Sequence, residues 1–331
     1  MQLRALRVWG ALLLAATVAC PAMTADAAAR TTRHTRTHAT TTASKRKPKR
    51  ARAAKSAAAS RIRSRRHRHV APPQGGVYAR NAVVVDPSTQ QVLFEKQSGE
   101  TVPIASLTKL MSALVFLDQK PDLRRSAEVT RDELHGGGHT QLRNHEQVAL
   151  YDLLHMSLMN SDNVATRVLA RESGLAPEAF VDAMNAKAHT LGLANTHFAE
   201  PTGLNENNVS TAVDVARLLK AAADHYLIRE VTTTPDYTFV TEYPGRKRTV
   251  SRTHQIVNTN RLLRSNRYEF NCSKTGFISQ SGYCVATWVR DQGRDLIAVV
   301  LGAPTNATRF ADIVRLVQRT ETLDAAVPVQ R

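Results

Sequence analysis

The order of periodicities constrains this chain most: strand-like stretches stand at both ends of its foldable part, and helical ones fill the middle. After Pro72-Pro73 and Gly75-Gly76, the β-branched run Ala79 to Asp86, the turn Pro87-Ser88-Thr89 and the run Gln91 to Gln97 predict a hairpin. From Ser106 to Asp118 the residues Leu107, Leu110, Met111, Leu114, Val115 and Leu117 recur at helical spacing, and Leu150 to Glu172, Pro177 to Leu191 and Thr211 to His225 continue the pattern. Strand character returns in Thr249 to Asn258, Phe270 to Ile278, Tyr283 to Asp291 and Leu296 to Gly302, before a last helix near Phe310 to Leu323. These elements predict an α+β fold: a mostly antiparallel sheet built from both ends of the domain, flanked by helices, with a helical lobe inserted in it. The cleft between sheet and lobe is where chemistry is expected.

The N-terminal quarter reads differently. Arg4 and Arg7 precede an apolar run from Val8 to Val18, and small residues follow up to Ala25-Asp26-Ala27, the layout of a signal peptide over 1–27. The run is well short of the roughly 20 apolar residues that span a bilayer. Thr17-Val18-Ala19-Cys20 approaches a lipoprotein cleavage site but has Thr where Leu is usual, so a lipid anchor at Cys20 is the lesser alternative. The formal net charge of +17 would suggest nucleic acid until it is mapped. Arg30 to His69 holds fifteen Lys and Arg and no acid among Ala, Thr, Ser and His, which leaves a body of 28 basic and 27 acidic residues. Residues 28–75 are therefore expected to be a disordered basic tether, 76–323 the folded domain and 324–331 a tail. Export argues against nucleic acid and leaves anionic envelope polymers, or nothing in particular, as what the tether meets.

Three short motifs carry chemistry. Ser106 and Lys109 stand three apart, which puts both on one helical face where the amine can take the serine proton. That role needs a neutral lysine, a fall from roughly 10.4 toward 7 that costs about 4 to 5 kcal/mol, supplied by burial and a second cation. The spacing alone is weak, since Ser44-Lys45-Arg46-Lys47 repeats it inside the tether and Ser106 could be a simple helix cap. Ser161-Asp162-Asn163 falls in a helical region, where Ser161 and Asn163 face one cleft only if the helix breaks; Asn163 could then hold a substrate amide or the Lys109 amine. Lys274-Thr275-Gly276 lies on a late strand whose alternation aims Lys274 and Gly276 the same way, giving the second cation and a close backbone approach.

In this order the motifs resemble those of penicillin-binding proteins and class A β-lactamases. The resemblance runs from about Tyr78 to Leu323 and takes in Pro103-Ile104-Ala105, Pro201-Thr202-Gly203-Leu204 and Ser281-Gly282-Tyr283. It is nearest to the low-molecular-mass D-Ala-D-Ala carboxypeptidases and endopeptidases. It implies acylation of Ser106 by a D-alanyl carbonyl of peptidoglycan, with Lys109 as base and Ser161 passing the proton to the leaving amine. It also implies substrate binding by Asn163, Lys274, Thr275 and Gly276, an oxyanion hole from the N–H groups of Ser106 and Phe277, and inhibition by β-lactams, in the periplasm and without cofactor. Family members often have Thr, Ser or His where this chain has Phe277, which puts a side-chain role there in doubt. Dedicated carboxypeptidases usually continue into a β-rich domain and an amphipathic anchor, whereas this chain stops within about ten residues of its last predicted helix, so endopeptidase action is expected to lead.

Other readings fare worse. A class A β-lactamase needs a Glu-x-x-Leu-Asn base, and Glu200-Pro201-Thr202-Gly203-Leu204-Asn205 is one residue too long. A non-catalytic envelope-binding module would not need Ser106, Lys109, Ser161, Asn163 and Lys274 together. His135, His139 and His145 around Gly136-Gly137-Gly138 match no common zinc spacing, so no metal is expected. Cys272 and Cys284 lie on consecutive strands, and register decides between a disulfide and two buried thiols.

Overall fold

The computed structural model describes residues 76–245 and 248–325. The expected signal peptide and tether lie outside them, as does 326–331. Five antiparallel strands form the main sheet: β1 (Asn81–Val85), β2 (Val92–Lys96), β9 (Glu269–Ile278), β10 (Gly282–Asp291) and β11 (Arg294–Ala303), in the order β2-β1-β11-β10-β9. Both ends of the domain thus build one sheet, and β9 is its open edge. The run Asn81-Ala82-Val83-Val84-Val85 is buried throughout because both faces are covered. Val83 and Val85 face the helical lobe, while Ala82 and Val84 pack on Phe310, Ile313, Leu316 and Val317 of the last helix, Asn306–Ala325.

Between the two halves of the sheet come β3 (Val102–Pro103), α1 (Thr108–Asp118), β4 (Ser126–Glu128), α2 (Arg131–Leu134), β5 (Gln147–Ala149), α3 (Leu150–Leu158), α4 (Asn163–Glu172) and α5 (Pro177–Thr190). They are followed by β6 (Val209–Ser210), α6 (Ala212–Asp224), α7 (Tyr226–Thr233), β7 (Asp236–Pro244) and β8 (Thr249–Val257), which leaves Asn306–Ala325 as α8. Every residue of α1 from Thr108 to Leu117 is buried, as a helix at the centre of a lobe must be.

Two expectations change. Leu150 to Glu172 is two helices, not one: the chain breaks at 159–162, where Ser161 sits at φ +64° and Asp162 caps α4 by accepting from the Ala165 N–H at 3.0 Å. Thr249 to Asn258 does not join the main sheet. It pairs with β7 in a second, four-stranded sheet of order β4-β5-β7-β8. The period-two burial of Tyr237, Phe239, Thr241 and Tyr243 was the signal for β7, a strand that the sequence reading passed over.

Register also decides between a disulfide and two thiols. Cys272 and Cys284 are free, buried thiols, because Cys272 stands opposite Trp288 and Cys284 opposite Gly276. Four residues of offset separate them by about 13 Å along the strands, beyond the roughly 7 Å that a bridge tolerates. Burial pushes the Cys272 thiol up to about 12, and that of Cys284 up as well.

Candidate active site

The nucleophile candidate sits where β3 meets α1. Pairing of Val102 with Ser210 and a bond from the Ile104 N–H to the Asn208 carbonyl fix the approach, and the turn Ala105–Leu107 opens with Ala105 at φ +49°. Such a left-handed alanine is strained, and glycines on two sides hold it in place. A Cβ on Gly203, itself at φ +82°, would lie 2.0 Å from the Ala105 carbonyl oxygen and 2.8 Å from the Ser106 nitrogen. A Cβ on Gly276 would lie 3.0 Å from that same nitrogen. Only glycine fits at 203, and at 276 any side chain would crowd the Ser106 amide.

Ser106 is half-buried, whereas Lys109 is wholly buried. The Lys109 Nζ lies 3.0 Å from Ser106 Oγ, 2.7 Å from Asn163 Oδ1 and 2.5 Å from the Thr202 carbonyl. Asn163 donates its amide to the Gly137 carbonyl at 2.9 Å, which fixes its oxygen toward the lysine. Burial lowers Lys109 to about 7; the negative charges of Glu200 and Asp162 pull it back up, and Arg167 pushes it down. A neutral amine has two hydrogens and one lone pair. The Asn163 and Thr202 oxygens can only accept, so they take both hydrogens and leave the lone pair facing the Ser106 hydroxyl.

Across the cleft, the buried Lys274 donates to Ser161 Oγ at 2.8 Å and to the Thr275 carbonyl at 3.0 Å. Burial first, then the charges of Lys109 and Arg309, hold Lys274 well below the ordinary lysine value. The Thr275 hydroxyl donates to Thr259 Oγ1 at 2.6 Å. Arg309, from α8, donates to both the Gly276 and Cys284 carbonyls at 3.0 Å. Those residues oppose each other in register, so both carbonyls point between β9 and β10. In a planar trans peptide the N–H of Phe277 then points the other way, off the open edge of β9 and into the cleft.

A family model described as D-alanyl-D-alanine carboxypeptidase matches residues 67–305. The chain belongs to this family of serine peptidases. The peptidase is 37% identical to a D-alanyl-D-alanine endopeptidase of Pseudomonas aeruginosa, over 76% of this chain and 80% of that protein. It is 33% identical to the endopeptidase of the same description from Escherichia coli, over 75% and 79%. Its fold matches the crystal structure of a Streptomyces DD-transpeptidase with a TM-score of 0.69 and 25% identity, over 74% of this chain and 98% of that one.

The structure brings every residue expected at the site of the peptidase to one cleft: Ser106, Lys109, Ser161, Asn163, Lys274, Thr275, Gly276 and Phe277. Of the two roles open for Asn163, it performs the contact with Lys109. Sequence reasoning weighed Glu200 only as a β-lactamase base and missed its bracing role: its carboxylate accepts from the N–H groups of Thr202 at 2.7 Å and Gly203 at 2.5 Å and from Asn208 Nδ2 at 2.6 Å. That carboxylate shapes the turn that presents the Thr202 carbonyl and Gly203. Gly137, the middle of the three glycines, is packed: a Cβ there would lie 2.6 Å from Val164 Cγ2. His135, His139 and His145 are exposed, and His145 Nδ1 lies 2.6 Å from Glu128 Oε1. Among the described residues no group of three or more His, Cys, Asp or Glu could hold a metal ion.

Proposed function

We propose that this serine D,D-peptidase is an endopeptidase that opens D-alanyl cross-links of peptidoglycan through an acyl-enzyme on Ser106. The observation that carries this reading is the Lys109 amine 3.0 Å from Ser106 Oγ, lowered to about 7 and with both hydrogens engaged by acceptors. Lys109 takes the hydroxyl proton as Oγ bonds to the D-alanyl carbon, and the N–H groups of Ser106 and Phe277 receive the negative oxygen. The C–N bond breaks as Ser161, held by Lys274, relays to the leaving amine the proton that Lys109 took, and water then adds to the acyl carbon, giving one proton back to Ser106 Oγ as the carboxylic acid leaves. Lys274 and Thr275 take the carboxylate beside the leaving nitrogen, and that charge favours the protonated form of Lys274.

The preference for cross-links is supported by relatives described as endopeptidases at 33 to 37% identity, against 28 to 32% for those described as carboxypeptidases. A β-lactamase reading is disfavoured because the Glu200 carboxylate is occupied by backbone N–H groups rather than facing a water over Ser106. The N-terminal sequence supports export to the periplasm, with the basic stretch meeting anionic envelope polymers, and among the described residues no helix is long and apolar enough to cross a membrane. Enzyme given cross-linked muropeptide dimers and monomeric pentapeptides in equal amounts should convert dimers to monomers faster than it releases terminal D-alanine. Penicillin should add once to the wild type and not to Ser106→Ala; an undiminished adduct on that variant would refute the nucleophile.

A further inference from the structure

We propose that Thr259 is a positioning residue of the carboxylate site, whose hydroxyl reverses its hydrogen bond with Thr275 when a substrate carboxylate arrives. The relay deepens the assignment of that carboxylate to Lys274 and Thr275 and rests on it. Thr259, two residues past β8, joins β9 to the helical lobe. β9 is the edge strand of the main sheet, and the Thr275 hydroxyl reaches Thr259 Oγ1, outside that sheet, at 2.6 Å. The Thr259 N–H and hydroxyl both donate to the Met159 carbonyl, at 2.9 and 3.0 Å, two residues before Ser161. Lys274 closes the ring by donating to Ser161 Oγ and to the Thr275 carbonyl. Thr259 itself is fixed from both sides. Asn258 Nδ2 donates to the Thr232 and Thr234 carbonyls at 3.0 Å, and Asn260 Oδ1 accepts from the Leu262 N–H at 3.1 Å.

Each hydroxyl has one hydrogen to give. A carbonyl can only accept, so Thr259 gives its hydrogen to Met159 and Thr275 gives its own to Thr259. Thr275 is then left with lone pairs alone, which repel a carboxylate. Its hydrogen must turn away from Thr259 before it can bind one. Thr259 allows the exchange, because its N–H keeps the Met159 carbonyl satisfied while its hydroxyl turns round. At 2.6 Å either oxygen can be the donor. The reversed chain runs from Thr259 through Thr275 to the carboxylate, and each donation strengthens the next. A substrate with an uncharged amide in place of the carboxylate gains no charge-assisted bond from the reversal.

Penicillin carries a carboxylate on the carbon next to its lactam nitrogen, as the leaving residue does, so it probes the relay whichever D-alanyl bond is preferred. The second-order rate constant for acylation is measured with benzylpenicillin and with its carboxamide, in the wild type and in Thr259→Val, Thr259→Ala and Thr259→Ser. The wild type should prefer the carboxylate. Thr259→Val and Thr259→Ala should each lower that preference roughly tenfold, the worth of one hydrogen bond, through weaker initial binding rather than a slower acylation step. Thr259→Ser retains the hydroxyl and should keep most of the preference. A general loosening of the site slows both penicillins alike and cancels in the ratio, and the alanine variant remains informative if valine disturbs folding. A preference unchanged or raised in the valine and alanine variants overturns the relay and leaves the carboxylate assignment standing. A wild type without preference overturns both.

Discussion

At the scale of single residues, the proposed chemistry turns on a lysine with no exposed surface, Lys109. Its fall from 10.5 to about 7 corresponds to about 5 kcal/mol of disfavoured charge. The folded value lies below the unfolded one, so the penalty is complete below pH 7 and fades as pH rises from about 7 toward 10.5. Because the proposed base acts when neutral, single-turnover acylation by penicillin should climb with pH through a midpoint near 7. Lys109→Ala should remove that limb and slow acylation by at least about a hundredfold. Glu200 raises Lys109 by its negative charge, so Glu200→Gln should move the midpoint to lower pH, as stopped-flow acylation across pH would show. A midpoint displaced upward would contradict the electrostatic assignment. The Ser106–Lys109 spacing of three was legible in sequence. The acceptors that orient the amine were not, since Asn163 and Thr202 come from 54 and 93 residues farther along.

Elements, not motifs, bring Ser161 into the cleft. Asp162 caps α4 while Ser161 takes a left-handed turn, and helical periodicity on both sides of the break hid it from sequence. The second sheet depends on a buried polar knot: Glu146 accepts from His254 at 2.6 Å and Thr241 at 2.5 Å beneath a stack of Phe239 on His254. Burial alone would raise the Glu146 carboxyl, but the bonds from His254, Thr241 and the Arg143 amide outweigh it and hold it below the ordinary value. Its contribution to stability is therefore present above the unfolded carboxylate pKa and is lost as pH falls through the folded one. Glu146→Ala leaves these donors without their acceptor and should destabilise the protein by about 3 to 5 kcal/mol at pH 7 in urea denaturation. The gap from wild type should narrow in acid; a gap that widens there would show that the carboxylate is not the stabilising form.

For the whole molecule, the key contacts join the start of the domain to its last helix. The Asp312 carboxylate, buried on α8, accepts from the N–H groups of Tyr78 at 3.1 Å and Ala79 at 2.8 Å, 234 and 233 residues away, and from Arg315 at 2.8 Å. The same helix carries Arg309, which donates to the Gly276 carbonyl of the peptide whose N–H, on Phe277, is proposed for the oxyanion hole. Asp312→Ala should cost roughly 2 to 3 kcal/mol, lowering the thermal midpoint by about 4 to 8 °C. The folded fraction should still acylate at the wild-type rate, and an unmoved midpoint would show that this tie carries no stability.

By itself the sequence determined what depends on neighbours along the chain: the strands of the main sheet, α1, the hairpin of β9 and β10, and the identity of the residues now found in the cleft. These follow from spacings of two, three and four, which the backbone converts directly into faces. Only the tertiary structure decided that β8 leaves the main sheet, that Cys272 and Cys284 stand four residues out of register, that Glu200 braces a turn, and that burial brings Lys109 down to about 7. Register and burial are set by contacts between segments remote in sequence, and a pKa or a disulfide answers to that surrounding rather than to the residue.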